Sequence, residues 1–480
     1  MRNSLALAWM LAAALGNTAC GVLEPRLPEA QPAIAAEWPL PPTAAAAPMA
    51  ANVGEPGAAP GTPGAVVDIG WRDFLTDPAL ERLVEQALAN NRDLRVAVLN
   101  VERARGLYRI QRADRLPGVE AVGAMVRQGG DGQATTESFN ASVGVTGFEL
   151  DLFGRVRSLS ESALQRYLAE EEARRSAQLS LIAEVANAYL TLAADQEQVF
   201  LARATLDTRE EAYAITQKRH ALGAISGLDL SQSRTLVEGA RADVARFSGR
   251  VAQDMNALTL LVGAPIERSL LPARFEEPVT GLGALPAGLP SEVLLRRPDV
   301  RAAEHELRAA NASIGAARAA FFPSITLTGS IGSASDELSG LFASGTQVWS
   351  FVPQVRVPIF EGGRLRGNLQ VANADRGIAL ARYEGAIQQG FREVADALAL
   401  TATLAAQRLA LQALVDAARR GEELAQARYA AGRDSFLVRL EAQRTLYVAQ
   451  QALISTRLAE QANRVTLYKV LGGGWQEGAR

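Results

Sequence analysis

The sequence predicts a mainly α-helical, internally duplicated chain that also carries membrane-type β-hairpins. Three observations point there: a repeat running through the body, proline-free stretches too long for globular helices, and segments between them whose hydrophobicity alternates with period two.

The repeat organises everything else. Asn91-Arg92-Asp93-Leu94-Arg95-Val96-Ala97 aligns with Arg297-Pro298-Asp299-Val300-Arg301-Ala302-Ala303 at an offset of 206 residues, which also pairs Ala104 with Ala310, Ala113 with Ala319 and Pro117 with Pro323. Further on the offset becomes 209, matching Gly154-Arg155 with Gly363-Arg364, Glu184-Val185-Ala186 with Glu393-Val394-Ala395, and Gly223-x-x-Ser226-x-Leu228 with Gly432-x-x-Ser435-x-Leu437. Two copies are too few for a solenoid, so a pseudo-symmetric body is expected, with a first repeat over 71–275, a second over 276–475 and a tail over 476–480.

Each copy reads helix, two strands, very long helix, tight turn, helix. Leu80 to Asp114 and Pro290 to Phe322 are helical in period and stop before Pro117 and Pro323. Arg155 to Leu222 and Arg364 to Ala431 contain no proline, and roughly 68 residues at 1.5 Å each make a helix of about 100 Å. Val185, Leu192, Val199, Leu206 and Tyr213 recur every seven residues, with Ile182 and Tyr189 offset by three, the spacing of a coiled-coil seam. Asp229 to Val262 and Leu437 to Leu471 are helices about half as long.

Between helices the period switches to two. The apolar set comprises Phe139, Val143 and Val145 in the first copy and Ile325, Leu327, Ile331, Phe351, Val355 and Val357 in the second. Its phase flips near Gly147, which predicts a bulge. Segments of about 9 to 12 residues cross a bilayer when tilted, so these side chains are expected to face lipid. The polar stretches Arg127 to Glu137 and Ser333 to Gln347 read as loops at the hairpin tips. Four strands cannot close a barrel, and lipid does not tolerate an open sheet edge, so the chain must oligomerise. Eight strands from a dimer or twelve from a trimer are both allowed physically, though only the larger leaves an obvious aqueous lumen.

Composition excludes other classes. The chain has 480 residues with 49 Lys+Arg against 52 Asp+Glu, net −3, and such a balance does not suit a nucleic-acid binder. A single cysteine rules out an intramolecular disulfide. His220 and His305 have no partners at metal-ligand spacing, and no phosphate loop or nucleophile elbow is present. No catalytic, cofactor or metal site is expected, and the chain is not expected to be an enzyme. At the start, Met1-Arg2-Asn3 and the apolar run Leu5 to Leu15 read as a secretory signal over 1–19. Cys20 follows Thr18 and Ala19 in an arrangement that resembles a bacterial lipobox, with Asn17 where such boxes carry an aliphatic residue. Cys20 is therefore the expected acylation site, and Gly21 in place of Asp resembles outer-membrane sorting. The Pro- and Ala-rich stretch that follows cannot build a core, so 20–70 is expected to be a lipidated tether.

Several phrases together resemble a known family. They are Trp71-x-x-Phe74-x-x-Asp77-Pro78-x-Leu80, Phe148-Glu149-Leu150-Asp151-Leu152-Phe153-Gly154-Arg155, the run Ala310-Asn311-Ala312-Ser313-Ile314-Gly315 through Phe321-Phe322-Pro323, Arg219-His220-Ala221-Leu222-Gly223 with Arg428-Tyr429-Ala430-Ala431-Gly432, and Leu467-Tyr468-Lys469-Val470-Leu471-Gly472-Gly473-Gly474-Trp475. They resemble the TolC-like outer-membrane factors, in the OprM/NodT branch of lipoproteins. The resemblance implies a trimeric, twelve-stranded outer-membrane β-barrel continued into a long α-helical periplasmic barrel with an equatorial domain. It implies a homotrimer lodged in outer-membrane lipid, with a periplasmic adaptor protein and an inner-membrane pump of the RND type as partners.

A tunnel of this kind must taper where its helices turn, and turn glycines followed by charged pairs suit that end. Gly223 and Gly432 supply the turns, and Leu222, Ser226, Ala431 and Ser435 complete the expected adaptor-docking tip. By resemblance, Asp229 and Arg428 match a gate salt link, while Leu437, Glu441 and Arg444 match a constriction ring. Glu441 stands where the branch usually has Asp, and Val438 where the TolC branch has a second gate Asp. The function expected is a passive exit duct of a tripartite efflux pump. A type I secretion channel and a non-porous lipoprotein scaffold remain as alternatives.

Overall fold

A computed structural model describes residues 23–32, 34–35, 38, 69–272, 275 and 291–473. The stretch 1–19 expected to be a signal, Cys20, most of the stretch 20–70 expected to be a tether, 273–274, 276–290 and the end from Gly474 lie outside the described residues. The elements are α1 (Trp71–Phe74), α2 (Pro78–Asn90), α3 (Arg92–Ala113), β1 (Val119–Gly130), β2 (Gln133–Leu150), α4 (Arg155–Ala221), α5 (Gly227–Val262), α6 (Pro298–Ala319), β3 (Ser324–Ser335), β4 (Gln347–Arg356), α7 (Arg364–Ala430) and α8 (Phe436–Val470). From α3 onward the order helix, two strands, 67-residue helix, turn, helix occurs twice.

The expected single helix Leu80 to Asp114 is two. Asp77 caps α2, accepting from the backbone N–H of Ala79 at 2.8 Å, with Pro78 at the first helical position. Asn91 is extended, and its side-chain oxygen accepts from Leu94 N–H at 2.9 Å, so one residue ends α2 and caps α3. In the second copy, Ser291–Arg296 is a 3₁₀ turn and the helix starts only at Pro298.

The chain divides into two compact units. One takes in the N-terminal segment up to Pro32, Val98–Ala173 and Arg301–Ala386; the other takes in 33–97, Arg174–Val300 and the chain from Ile387.

The second unit holds the main core. Trp71, Phe74, Leu80, Leu83, Ile182, Val185, Leu190, Leu192, Leu258, Val262 and Tyr468 are buried together. Phe74 stacks on Tyr468 at 3.9 Å between centroids, and the Tyr468 hydroxyl donates to the Ile69 carbonyl at 2.7 Å. Here α4 is buried nearly all round from Leu181 to Ala194, so the expected narrow seam widens into a true core. Beyond it the buried stripe runs through Ala202, Arg209 and Thr216, leaving Val199, Leu206 and Tyr213 half-buried.

One contact repeats with altered chemistry. Asn91 donates from its amide to the Leu261 carbonyl at 2.9 Å, and Arg297 donates from its guanidinium to the Val470 carbonyl at 2.9 Å. These are equivalent positions, offset by 206 and 209, and each ties the start of a repeat to the C-terminus of its last helix. Arg297 is buried and also bonds Asp299 at 2.7 Å and Glu393 at 2.8 Å.

The first unit carries an antiparallel sheet in the order β1-β2-β3-β4. The expected first tip loop is strand instead: Arg127 pairs with Glu137, and only Asp131-Gly132 turns, Gly132 taking positive φ as a tight hairpin requires. The register shifts between Val145 and Phe148, where Gly147 has φ 66°, placing the bulge where the alternation changes phase.

Candidate functional site

Two regions carry the candidate function, the four-stranded sheet and the pair of helical turns. In the sheet, Phe139 pairs with Met125, Val143 with Ile331, Leu327 with Phe148, Ile325 with both Leu150 and Val355, and Ile331 with Trp349. Directly paired residues share a face, so these side chains form one continuous apolar face. The Gly147 bulge keeps it continuous, because without the extra residue Phe148 and Leu150 would fall on the side opposite Val143 and Val145. The other face carries Glu120, Asn140, Ser142, Thr326, Thr328, Gln354 and the Ser330–Ser350 hydroxyl pair at 2.9 Å.

Both β1 and β4 are exposed along their whole length, polar and apolar sides alike. Val143, Ile331, Phe351 and Val355 are exposed, Phe139, Val145, Ile325 and Leu327 are half-buried between central strands, and Val357 lies just past the end of β4. Among the described residues nothing covers either face of this sheet or pairs with either edge strand, an arrangement that calls for a partner surface.

The two turns are built alike. Gly223 (φ 71°) and Gly432 (φ 69°) close α4 and α7 in the left-handed conformation, with Ala224 N–H donating to Arg219 carbonyl and Arg433 N–H to Arg428 carbonyl, both at 2.9 Å. Ser226 and Ser435 then stand at the N-caps of α5 and α8. Leu222 is 83% exposed, and Leu228 and Leu437 are also bare. Ala431 and Gly432 lie exposed beside them.

The charged residues pair differently from the expected link. The Asp229 carboxylate accepts from the Ser226 hydroxyl at 2.9 Å and from its N–H at 3.3 Å, a reciprocal capping box. Val438 stands at the equivalent place after Ser435 and cannot form that box. There Arg428 instead holds Asp434 through two bonds of 2.6 and 2.9 Å. The hydrogen bond from Arg428 keeps the Asp434 carboxyl below the usual carboxylate range. Within the chain, Asp229 and Arg428 are therefore not brought together, whereas Glu441 and Arg444 are, at 2.8 Å on an exposed helix face.

One cross-turn contact gave no sequence signal. Arg219 donates to the Tyr429 hydroxyl at 2.9 Å and lies 5.7 Å from its ring centre, Arg439 lies 5.5 Å from the same ring, and Phe436 packs against it. Tyr429 thus joins the two turns, and only its neighbours in space reveal it. Among the described residues no group of three or more His, Cys, Asp or Glu converges as metal ligands. His305 bonds Gln165 at 2.7 Å, and His220 bonds the Ile225 carbonyl at 3.2 Å.

This geometry can be set beside known proteins. The profile of the outer membrane efflux protein family matches twice, over residues 83–264 and 289–473. The chain belongs to that family. It is 49% identical over 421 residues to the toluene efflux pump outer membrane protein TtgC of Pseudomonas putida, covering 86% of this chain and 87% of that one. It is 46% identical over 430 residues to the outer membrane protein OprJ of Pseudomonas aeruginosa, covering 88% and 90%. The open-state outer membrane channel MtrE of Neisseria gonorrhoeae superposes with a TM-score of 0.84 at 40% identity, covering 95% of this chain and 98% of that one. The family is one of outer-membrane efflux ducts rather than of enzymes.

Proposed function

We propose that the chain is the exit duct of a tripartite multidrug efflux pump, a passive conduit formed by three copies and gated at its helical turns. The observation that carries this reading is the sheet with both edges unpaired and both faces bare. Three copies supply twelve strands, enough for a water-filled barrel, whereas eight strands are filled by their own side chains. The helices also leave apolar surface that calls for a partner. Val96, Leu99, Leu107 and Ile110 make one exposed apolar stripe on α3, and Val371, Ile378, Leu400, Leu409 and Leu414 are exposed on α7.

On this reading 71–275 and 276–475 are the two repeats, and 20–70 is a tether acylated at Cys20. Asp229, Arg428, Leu437, Glu441 and Arg444 line the gate. Leu222, Gly223, Ser226, Ala431, Gly432 and Ser435 present the tip to a periplasmic adaptor, which joins the duct to an inner-membrane pump of the RND type. The Arg428–Asp434 pair is exposed, so it acts as a local brace that a docking partner can displace at little cost.

Planar-bilayer recording of the purified protein tests the reading. Discrete conductance steps are expected, small in the native chain and larger in Arg428→Ala and Asp434→Asn. Silence in all three would favour a non-porous scaffold.

A further inference from the structure

The run from Ala310 to Pro323 is among the most distinctive in the sequence, yet neither the sheet nor the turns use it. Asn311, Gly315 and Arg318 are spaced four and three residues apart and therefore share one face of α6. All three touch the segment that follows the lipobox. The Asn311 amide donates to the Glu24 side chain at 3.0 Å and to the Pro25 carbonyl at 2.8 Å, and Arg318 donates to the Leu23 carbonyl at 3.1 Å. Asn311 is 2% exposed, so its amide is committed to these bonds.

Between them Gly315 lets the backbones approach. A Cβ there would sit 2.7 Å from the Ser158 hydroxyl and 3.3 Å from the Glu24 nitrogen, so any side chain would push one or the other aside. The pairing Arg318 with Leu23, Gly315 with Glu24 and Asn311 with Pro25 runs the segment antiparallel to α6, its start nearest β3. Further along, the Gln31 N–H donates to Glu384 at 3.0 Å.

Among the described residues no segment lies on the matching face of the first repeat. At the same offset of 206 stand Arg105, Arg109 and Arg112 on α3, three long cations where close approach needs Asn, Gly and a single Arg.

We propose that Asn311, Gly315 and Arg318 form a receptacle for the chain's own N-terminal segment, and that this clasp sets the depth of the N-terminus relative to the sheet. Three residues reach at most about 10 Å, so a lipid on Cys20 is held within that distance of Leu23, beside the start of β3. The acyl chains and the strands then enter the membrane at one level. The depth statement rests on the exit-duct reading; the clasp itself does not.

Limited trypsinolysis of the full-length, detergent-solubilised protein tests the clasp at the Arg26–Leu27 bond. Cleavage is expected at least tenfold faster in Gly315→Arg, which copies Arg109, and in Asn311→Leu, with assembly size and melting temperature as controls. Asn311→Leu keeps the test alive if Gly315→Arg fails to fold. Equal cleavage in Asn311→Leu and the native chain overturns the clasp. For depth, a nitroxide at Leu23→Cys is read in phosphatidylethanolamine/phosphatidylglycerol vesicles by its relaxation with a water-soluble nickel chelate and with oxygen. A headgroup-level label that becomes aqueous in Asn311→Leu supports the depth statement, and an aqueous label in both overturns it. Conductance is scored separately, so failure of the duct reading is told apart from failure of the clasp.

Discussion

Helices α3 and α6 occupy equivalent places in the two repeats, yet one is bare and the other covered. On α3 only Leu94 is buried, while Leu107 and Ile110 stand 58% and 67% exposed. On α6, Val300, Leu307, Ala309, Asn311, Ala312, Ile314, Ala316 and Ala319 are buried. The positions matching the bare stripe Val96, Leu99, Leu107 and Ile110 are Ala302, His305, Ser313 and Ala316. Two of these meet α4 within the chain, through Ser313 with Ser162 at 3.0 Å and His305 with Gln165 at 2.7 Å. Duplication preserved the helix and let its partner change. Small residues suit an intrachain neighbour at close range, and large apolar ones suit a surface that the chain itself does not supply.

The largest effect is expected where the repeats close. Arg297→Ala leaves Glu393 without its buried cation and the Val470 carbonyl without its donor, and is expected to cost about 3 to 5 kcal/mol. Asn91→Ala removes a neutral bond and a cap, for about 1 to 3 kcal/mol. Denaturant unfolding followed by circular dichroism should rank them in that order, and the reverse ranking would mean that the two closures are not equivalent. Next is the bare stripe. Leu107→Glu with Ile110→Glu should abolish oligomers in light scattering while leaving the helical content of the monomer unchanged. Unchanged oligomers would remove α3 from the subunit contact.

A smaller difference between the repeats depends on pH. Burial and the neighbouring Asp195 raise the Asp254 carboxyl to about 6, whereas the equivalent position in the second repeat is Asn463, which donates to the Ala397 carbonyl at 2.9 Å. Because the folded chain holds this proton more tightly than the unfolded chain, the contribution is complete below about pH 4 and is lost as pH rises through about 6. Asp254→Asn, which copies the second repeat, should therefore raise the melting temperature at pH 7.5 and change it little at pH 4. Smallest is the tip. Asp434→Asn removes an exposed pair that exists above the carboxylate range and is lost on acidification, so its melting temperature should stay within a degree of the native value while conductance changes.

Much of this was legible before folding. Proline-free length marked α4 and α7, alternation marked the apolar face of the sheet, and the phase change at Gly147 marked its bulge, because each is a local pattern of backbone geometry. The tip of the first hairpin was misjudged, since polar Arg127 to Glu137 reads as loop although cross-strand bonds hold all but Asp131-Gly132 as strand. The resemblance implied a link between Asp229 and Arg428; within the chain each has a nearer partner, Ser226 and Asp434.

The sequence alone determined the duplication, the helices and the alternating strands, since periodicity and the placement of proline and glycine act over a few residues. Tertiary structure alone decided that Asn91 and Arg297 do the same work with different groups, that Tyr429 joins the two turns, and that Asn311, Gly315 and Arg318 receive the N-terminal segment. Those contacts join residues up to about 300 positions apart, where no local pattern records which groups will meet, and only the packing of buried donors against available acceptors selects them.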